Sequence, residues 1–211
     1  MQQKLRQNPW LLPAIFAIFI VALCAVYMGR SYVRTSVSTV TARLSSTSDT
    51  TFPSINTTGL SEYQLKLLKT LQEEYAKKPV SYDANVLKYT QGEKQAWCAD
   101  FVSWTMREAG HPFNNPNSGS WRIPGVYTLR EYFQAQQRYK LAGEYTPTFG
   151  DVAIYAKTPT NSHTNIVLSV DTKAKTMTLI GGNENGRVRI IENQSYAPGE
   201  RDLVGFGVSQ I

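Results

Sequence analysis

The second half of the chain is a series of short apolar runs that lie too close together to be joined by crossover helices. After Gly150 these runs cover residues 151–155, 163–171, 176–180, 187–191 and 203–208. Turn sequences such as Asp171-Thr172-Lys173 separate them, and short runs bounded by turns are typical of β-strands. A parallel strand pair needs a connection of about a dozen residues or more. We therefore expect a mainly antiparallel sheet.

The residues before this series have helical spacing. Ser61 and Gln64 form a capping-box pattern, and the apolar face that follows ends at Pro79. A second helix begins near Trp97 and ends at Gly110, and residues 128–138 predict a third. Helices first and strands second indicate an α+β domain over residues 60–211, with the helices packed on the sheet.

The N-terminal segment has a different character. Residues 10–29 contain no charged side chain, and their number matches the ~20 residues that a helix needs to cross a bilayer. We predict one uncleaved transmembrane helix there, with residues 1–9 as a cytoplasmic tail; a cleaved signal peptide is the alternative. Residues 30–59 are rich in Ser and Thr and show no sustained period, so they predict a flexible linker.

The net charge of +6 invites a nucleic-acid interpretation, but its distribution argues against one. The first 48 residues hold five basic side chains and no acidic one, whereas the remainder is almost balanced, with 17 basic and 16 acidic residues. The basic residues therefore flank the apolar segment, and no nucleic-acid partner is predicted.

Cys98 is the only cysteine outside the apolar segment, so it has no disulfide partner in the predicted domain. It opens the helix-like run at Trp97, where free backbone N–H groups and the helix dipole favour a thiolate. The same N–H groups, with the side chain of Gln91 or Gln95, are candidate donors to an oxyanion. A nucleophile is one interpretation of Cys98, and a small buried core residue is the other.

A nucleophilic cysteine needs a base, and the chain has two histidines, His111 and His163. His111 follows the helix that Cys98 opens, about 18 Å along its axis, which is too far for a hydrogen bond. His163 opens an apolar strand and is the better candidate. A third polar group should orient the imidazole. The next strand ends in Gly-Gly-Asn-Glu, and we choose Asn183, with Glu184 as the alternative.

Together these residues resemble the CHAP family, the cysteine, histidine-dependent amidohydrolases/peptidases related to papain-like and NlpC/P60 enzymes. The resemblance rests on residues 97–104 with Ala109-Gly110, on 149–155, on 162–171, and on 181–183 with 187–189, in that order. It implies a papain-like α+β CHAP fold with Cys98 as nucleophile, His163 as base and Asn183 as the third polar residue. Two positions depart from the pattern: Thr164 stands where many members have Val, and Gly181 where many carry Glu.

The resemblance also implies a function. We expect a peptidoglycan hydrolase that cleaves an amide bond, as an N-acetylmuramoyl-L-alanine amidase or an endopeptidase. With residues 10–29 in the cytoplasmic membrane, the catalytic domain would be extracytoplasmic. Trp97, Trp121 and Tyr155 are candidate substrate contacts, and we expect no cofactor or metal. The alternatives are a catalytically silent module that binds the wall or a partner in an envelope assembly, and a membrane-anchored cysteine protease.

Overall fold

Four helices lead into a six-stranded sheet within residues 51–158 and 160–209, which are the residues that the computed structural model describes. The helices are α1 (Glu62–Ala76), α2 (Ala84–Thr90), α3 (Cys98–Glu108) and α4 (Val126–Ala135). The strands are β1 (Tyr139–Leu141), β2 (Val152–Thr158), β3 (Asn161–Asp171), β4 (Thr176–Glu184), β5 (Arg187–Ser195) and β6 (Leu203–Gly207), with a 3-10 turn at Glu200–Asp202. Their order in the sheet is β1-β6-β2-β3-β4-β5.

Every strand pair is antiparallel, and the helices precede the sheet. The predicted α+β class is therefore confirmed. Two short elements, α2 and β1, were not predicted. Helix α2 has only seven residues. Its N-cap is Asp83, whose carboxylate accepts a 2.9 Å hydrogen bond from the backbone N–H of Val86.

Helix α1 begins as the sequence indicates. The Ser61 hydroxyl accepts a hydrogen bond from the Gln64 N–H at 3.3 Å, and the Gln64 side chain accepts one from the Ser61 N–H at 3.0 Å. The start of the packed chain was predicted too late, however. Phe52 and Ile55 fall within the predicted linker but pack against the core, and the Phe52 ring meets Tyr75 at 5.9 Å. Burial of these two apolar side chains orders this part of the chain although most of the residues around it are polar.

Helix α3 lies against the centre of the sheet because β4 carries a glycine where the two meet. A Cβ atom at Gly182 would lie 2.5 Å from Cβ of Phe101 and 2.6 Å from the Trp97 ring, closer than real contacts allow. Phe101 is completely buried on the α3 side of this contact, and burying such a side chain stabilises the fold by about 1.5–3 kcal/mol. The contact brings the N-terminus of α3 to the end of β4.

The predicted cytoplasmic tail (1–9), the predicted transmembrane segment (10–29) and most of the predicted linker (30–59) lie outside the described residues. Within the part of the chain that the structure describes, no helix combines the length and the apolar character needed to cross a membrane.

Candidate active site

Cys98 is the first residue of α3, and its thiol is free. Trp97 forms the N-cap with non-helical backbone angles, and no side chain caps the helix. The N–H groups of the first turn are therefore not consumed by a capping side chain, and they lie beside the cysteine. Cys98 is 6% exposed, so the thiol sits in a largely desolvated position at a helix N-terminus.

His163 lies near the start of β3 and binds a carboxylate on the neighbouring strand. Its Nε2 lies 2.6 Å from Oε1 of Glu184, the last residue of β4. Both side chains are only partly shielded, with 30% of His163 and 24% of Glu184 exposed. Because Nε2 is occupied by Glu184, Nδ1 is the ring nitrogen left for the Cys98 side chain, which also hydrogen-bonds with the imidazole. The structure thus brings Cys98, His163 and Glu184 into one hydrogen-bonded series.

Asn183, the predicted third residue, is replaced in this series by its neighbour. Regular alternation along β4 would place Asn183 on the same face as Gly181. Asn183 instead adopts a left-handed conformation with φ of 62°, and the β4–β5 register shifts between Gly181 and Glu184. The irregularity brings Glu184 to that face, where its Oε1 lies 3.4 Å from an ideal Cβ on Gly181. The geometry therefore favours the alternative, Glu184, as the partner of His163.

Asn165 supports Glu184 and was missed in the sequence. It follows His163 by two residues on β3, so both side chains point to the same face. Its Nδ2 donates a 3.1 Å hydrogen bond to Oε1 of Glu184, the oxygen that also binds His163. A Cβ at Gly181 would lie 2.0 Å from Oδ1 of Asn165. Position 181 therefore has no room for a side chain while Asn165 is present. This explains why a glycine stands here, where many members of the family carry Glu.

The electrostatics favour a protonated imidazole. Burial lowers the pKa of His163, but hydrogen bonds to Cys98 and Glu184 and their negative charges outweigh it and raise the pKa to about 10. Burial raises the pKa of Glu184, but its hydrogen bond with His163 and the charge of His163 hold it below its ordinary value. At neutral pH the imidazole therefore carries both protons, between the Glu184 carboxylate and the Cys98 sulfur.

A second buried charge supports the start of α3. Asp100 is completely buried, and it accepts hydrogen bonds from Nε of Arg122 at 2.5 Å and from Nε2 of Gln95 at 2.8 Å. Burial raises the pKa of Asp100, although both partners favour its charged form. Asp100, in the first turn of α3, therefore holds the side-chain amide of Gln95, a predicted oxyanion donor that precedes the helix. Neither Asp100 nor Arg122 was singled out in the sequence.

The three predicted substrate contacts have different positions. Tyr155 pairs with His163 in the β2–β3 register and lines a cavity that His163 and Glu184 also line. Trp97 is 1% exposed, stacks on Tyr89 and donates a 2.9 Å hydrogen bond to the Ser81 hydroxyl. This burial contradicts the predicted contact of Trp97 with substrate. The indole instead packs in the core beneath the N-terminus of α3.

Trp121 is half-buried, and its ring lies 4.1 Å from the Arg107 guanidinium carbon. Arg107 is in the last turn of α3, about 14 Å along the helix from Cys98. Its neighbour Arg122 contacts Asp100 in the first turn of α3, and the role of Trp121 at the substrate stays a prediction.

The other histidine is structural. His111 packs edge-on against the Tyr63 ring, with the ring centres 4.3 Å apart.

Among residues 51–158 and 160–209, no group of three or more His, Cys, Asp or Glu side chains is arranged to hold a metal ion.

Comparison with protein families places this geometry in context. Residues 89–183 match the model of the CHAP domain, which confirms the resemblance predicted from the sequence. The match contains Cys98, His163 and Asn165 and ends one residue before Glu184. CHAP domains are typically hydrolases of amide bonds, and the match indicates a hydrolase of the peptidoglycan amidase or peptidase type. Comparisons with curated proteins and with solved structures gave no significant match.

Proposed function

We propose that this chain hydrolyses an amide bond of peptidoglycan with Cys98 as nucleophile, His163 as acid and base, and Glu184 as the residue that orients His163. The observation that carries the proposal is the hydrogen-bonded series from Cys98 through His163 to Glu184 at the N-terminus of α3. A buried structural cysteine needs neither a histidine partner nor a carboxylate behind that histidine.

In the proposed resting state the imidazolium of His163 lies beside the Cys98 sulfur. With its pKa raised to about 10, His163 stays protonated throughout the neutral range. Glu184 accepts the hydrogen bond from Nε2 and so fixes both the ring orientation and the nitrogen that faces the sulfur. Asn165 holds the same carboxylate oxygen from the side.

Acylation begins when the Cys98 thiolate attacks the amide carbonyl and forms a carbon–sulfur bond. The negative charge that develops on the carbonyl oxygen is stabilised by the Cys98 backbone N–H and by the side-chain amide of Gln95. One hydrogen of that amide binds Asp100, and the other is available to the oxyanion. The imidazolium of His163 then gives its proton to the leaving amine as the carbon–nitrogen bond breaks.

Hydrolysis of the thioester completes the cycle. The leaving amine departs, and the now neutral His163 takes a proton from a water molecule, which attacks the acyl carbon. The carbon–sulfur bond breaks, the carboxylic acid product is released, and the thiolate and imidazolium pair is restored. No oxidant, reductant or cofactor takes part in this sequence.

The proposed bond is either the lactyl amide that joins the sugar to the stem peptide or an amide within the peptide. The first activity is that of an N-acetylmuramoyl-L-alanine amidase, and the second is that of an endopeptidase. We further propose that residues 10–29 anchor the chain in the cytoplasmic membrane with the catalytic domain outside it. The support is the apolar, uncharged character of that segment and the position of peptidoglycan outside the membrane.

The test is digestion of purified peptidoglycan by the full-length chain and by its Cys98→Ala variant, followed by mass spectrometry. New lactyl carboxyl groups on the sugar would identify an amidase, and new amines within the stem peptide an endopeptidase. Identical products from both proteins would refute a cysteine-dependent reaction. Absence of products from both would favour a silent module, and cleavage of a protein substrate alone would favour a protease.

Localisation is tested separately. Membranes from cells that express the full chain are extracted with high salt and then with detergent, and intact cells are treated with an external protease. The proposal predicts release by detergent only and cleavage of the domain from outside. Recovery in the soluble fraction would contradict the anchor.

A further inference from the structure

A cavity of about 230 Å³ opens on the His163 and Glu184 pair. Its apolar part is formed by Leu179 and Ile191 on β4 and β5, and Tyr155 lines it from β2. The far side is closed by the 3-10 turn between β5 and β6, which contributes Arg201. The cavity therefore combines an apolar part and an aromatic ring with the charged side chains of His163, Glu184, Arg201 and Asp202.

The Arg201 guanidinium is held over this cavity by a neighbouring strand. It donates a hydrogen bond to the side-chain oxygen of Gln194 on β5, which also lines the cavity. Its charge acts on two residues that line the cavity. Burial raises the pKa of Tyr155 and of Glu184, and the positive charge of Arg201 lowers the pKa of both. The guanidinium has further N–H donors besides the one that binds Gln194, and they can bind an anion.

The backbone that presents Arg201 is held in an uncommon conformation. Arg201 has φ of 48° and Asp202 has φ of 67°, so two consecutive residues with side chains are left-handed. Gly adopts this conformation freely and Asn or Asp occasionally, whereas Arg rarely does. Residues in such conformations cluster at functional sites, where the surrounding structure maintains them.

We propose that this cavity is a substrate subsite in which Arg201 binds a carboxylate of the peptidoglycan stem peptide. The proposal rests on the proposed function, because it is the stem peptide that brings a carboxylate next to the amide being cleaved. A guanidinium binds a carboxylate through two parallel hydrogen bonds, a geometry that a single amide group does not match. Arg201 would therefore make the enzyme prefer free carboxylates to amidated ones.

The test compares two synthetic muramyl peptides that differ only in whether the side carboxylates of the stem are free or amidated. The full-length chain and its Arg201→Ala, Arg201→Lys and Lys173→Ala variants are assayed for kcat/KM on both peptides. Lys173→Ala is the matched control, because it also removes one positive charge from an exposed residue but lies at the opposite end of β3. Circular dichroism verifies that each variant is folded.

We expect Arg201→Ala to lower kcat/KM about 10- to 100-fold on the free-carboxylate peptide, as for a lost charge-assisted hydrogen bond, and to leave the amidated peptide nearly unchanged. Arg201→Lys should retain part of the preference, and Lys173→Ala all of it. An equal loss on both peptides, or no loss on either, would overturn the subsite.

Binding distinguishes this inference from the proposed function. The affinity of the Cys98→Ala variant for each peptide, with and without Arg201→Ala, is measured by calorimetry. Binding that prefers the free carboxylate through Arg201 supports the subsite even if neither peptide is hydrolysed, in which case only the proposed reaction fails. Equal affinity for both peptides overturns the subsite even if both are hydrolysed.

Discussion

Replacing Glu184 by Gln removes the charge behind His163 while keeping an oxygen that can accept the imidazole hydrogen bond. The carboxylate is 2.6 Å from the ring nitrogen, and an opposite charge at such a distance shifts a pKa by about 1–3 units. The variant should therefore lower the pKa of His163 from about 10 to between about 7 and 9. One pKa unit corresponds to about 1.4 kcal/mol, so the lost stabilisation of the imidazolium is about 1–4 kcal/mol.

The sign of the effect on activity follows from the role of the imidazolium as the acid that protonates the leaving amine. Activity persists while His163 is protonated and is lost as the pH rises through its pKa. With a pKa of about 10, His163 is about nine-tenths protonated at pH 9, whereas a pKa of about 8 leaves only about one-tenth. At pH 9 the activity of Glu184→Gln should therefore be about tenfold lower than that of the wild type. At pH 7 the loss of imidazole protonation should lower it at most about twofold.

The assay is kcat/KM on a soluble muramyl peptide from pH 6 to pH 11. Glu192→Gln is the control, because it removes an exposed carboxylate from the neighbouring strand β5. In the control, kcat/KM should fall at the same alkaline pH as in the wild type. If kcat/KM of Glu184→Gln also falls at that pH, then Glu184 does not set the protonation of His163, and this account of the site is wrong.

Three further predictions concern the surroundings of the site. Gly181→Ala should destabilise the fold by about 1–3 kcal/mol through overpacking, since its Cβ would lie 2.0 Å from Oδ1 of Asn165; adding Asn165→Ala should restore much of that stability in urea denaturation, and failure to do so would place the strain elsewhere. Arg122→Ala should cost about 3–5 kcal/mol in the same measurement because it leaves Asp100 in the core without its cationic partner; the variant Arg107→Ala, which removes an arginine from a more exposed ion pair and from the face of Trp121, should cost only about 1–2 kcal/mol, and equal losses would refute this ranking. Iodoacetamide should alkylate Cys98 at least tenfold faster in the wild type than in a His163→Ala variant at pH 7, and equal rates by peptide mapping would show that His163 does not activate the thiol.

The class of fold and the position of the cysteine follow from local patterns in the sequence. The capping box at Ser61 and the close spacing of the β-runs are determined by neighbouring residues, and both predictions agree with the structure. Cys98 was expected to open a helix and does so. His163 was selected because His111 lies a helix length away, and the structure places His163 in contact with Cys98.

The predictions that failed depend on contacts between distant segments. Asn183 was chosen because it lies in the polar cluster that ends β4 and matches the third polar position of the resemblance, but the left-handed backbone of Asn183 accompanies a register shift that brings Glu184 to His163. The Asn-Glu-Asn-Gly sequence at the end of β4 was the available signal, because Asn tolerates this conformation. The burial of Trp97 depends on Tyr89 in α2 and on Ser81 in the preceding turn, and the local sequence does not specify how these residues pack against the indole.

The most direct measurement of the central claim is capture of the acyl-enzyme. The full-length chain is mixed with a soluble muramyl peptide, quenched in acid within milliseconds to seconds, digested and mapped by mass spectrometry. The proposed mechanism predicts an adduct with the mass of the acyl portion on the peptide that contains Cys98, and neither adduct nor product from Cys98→Ala. Product formation that continues in Cys98→Ala, or an adduct on another residue of the wild type, would contradict it.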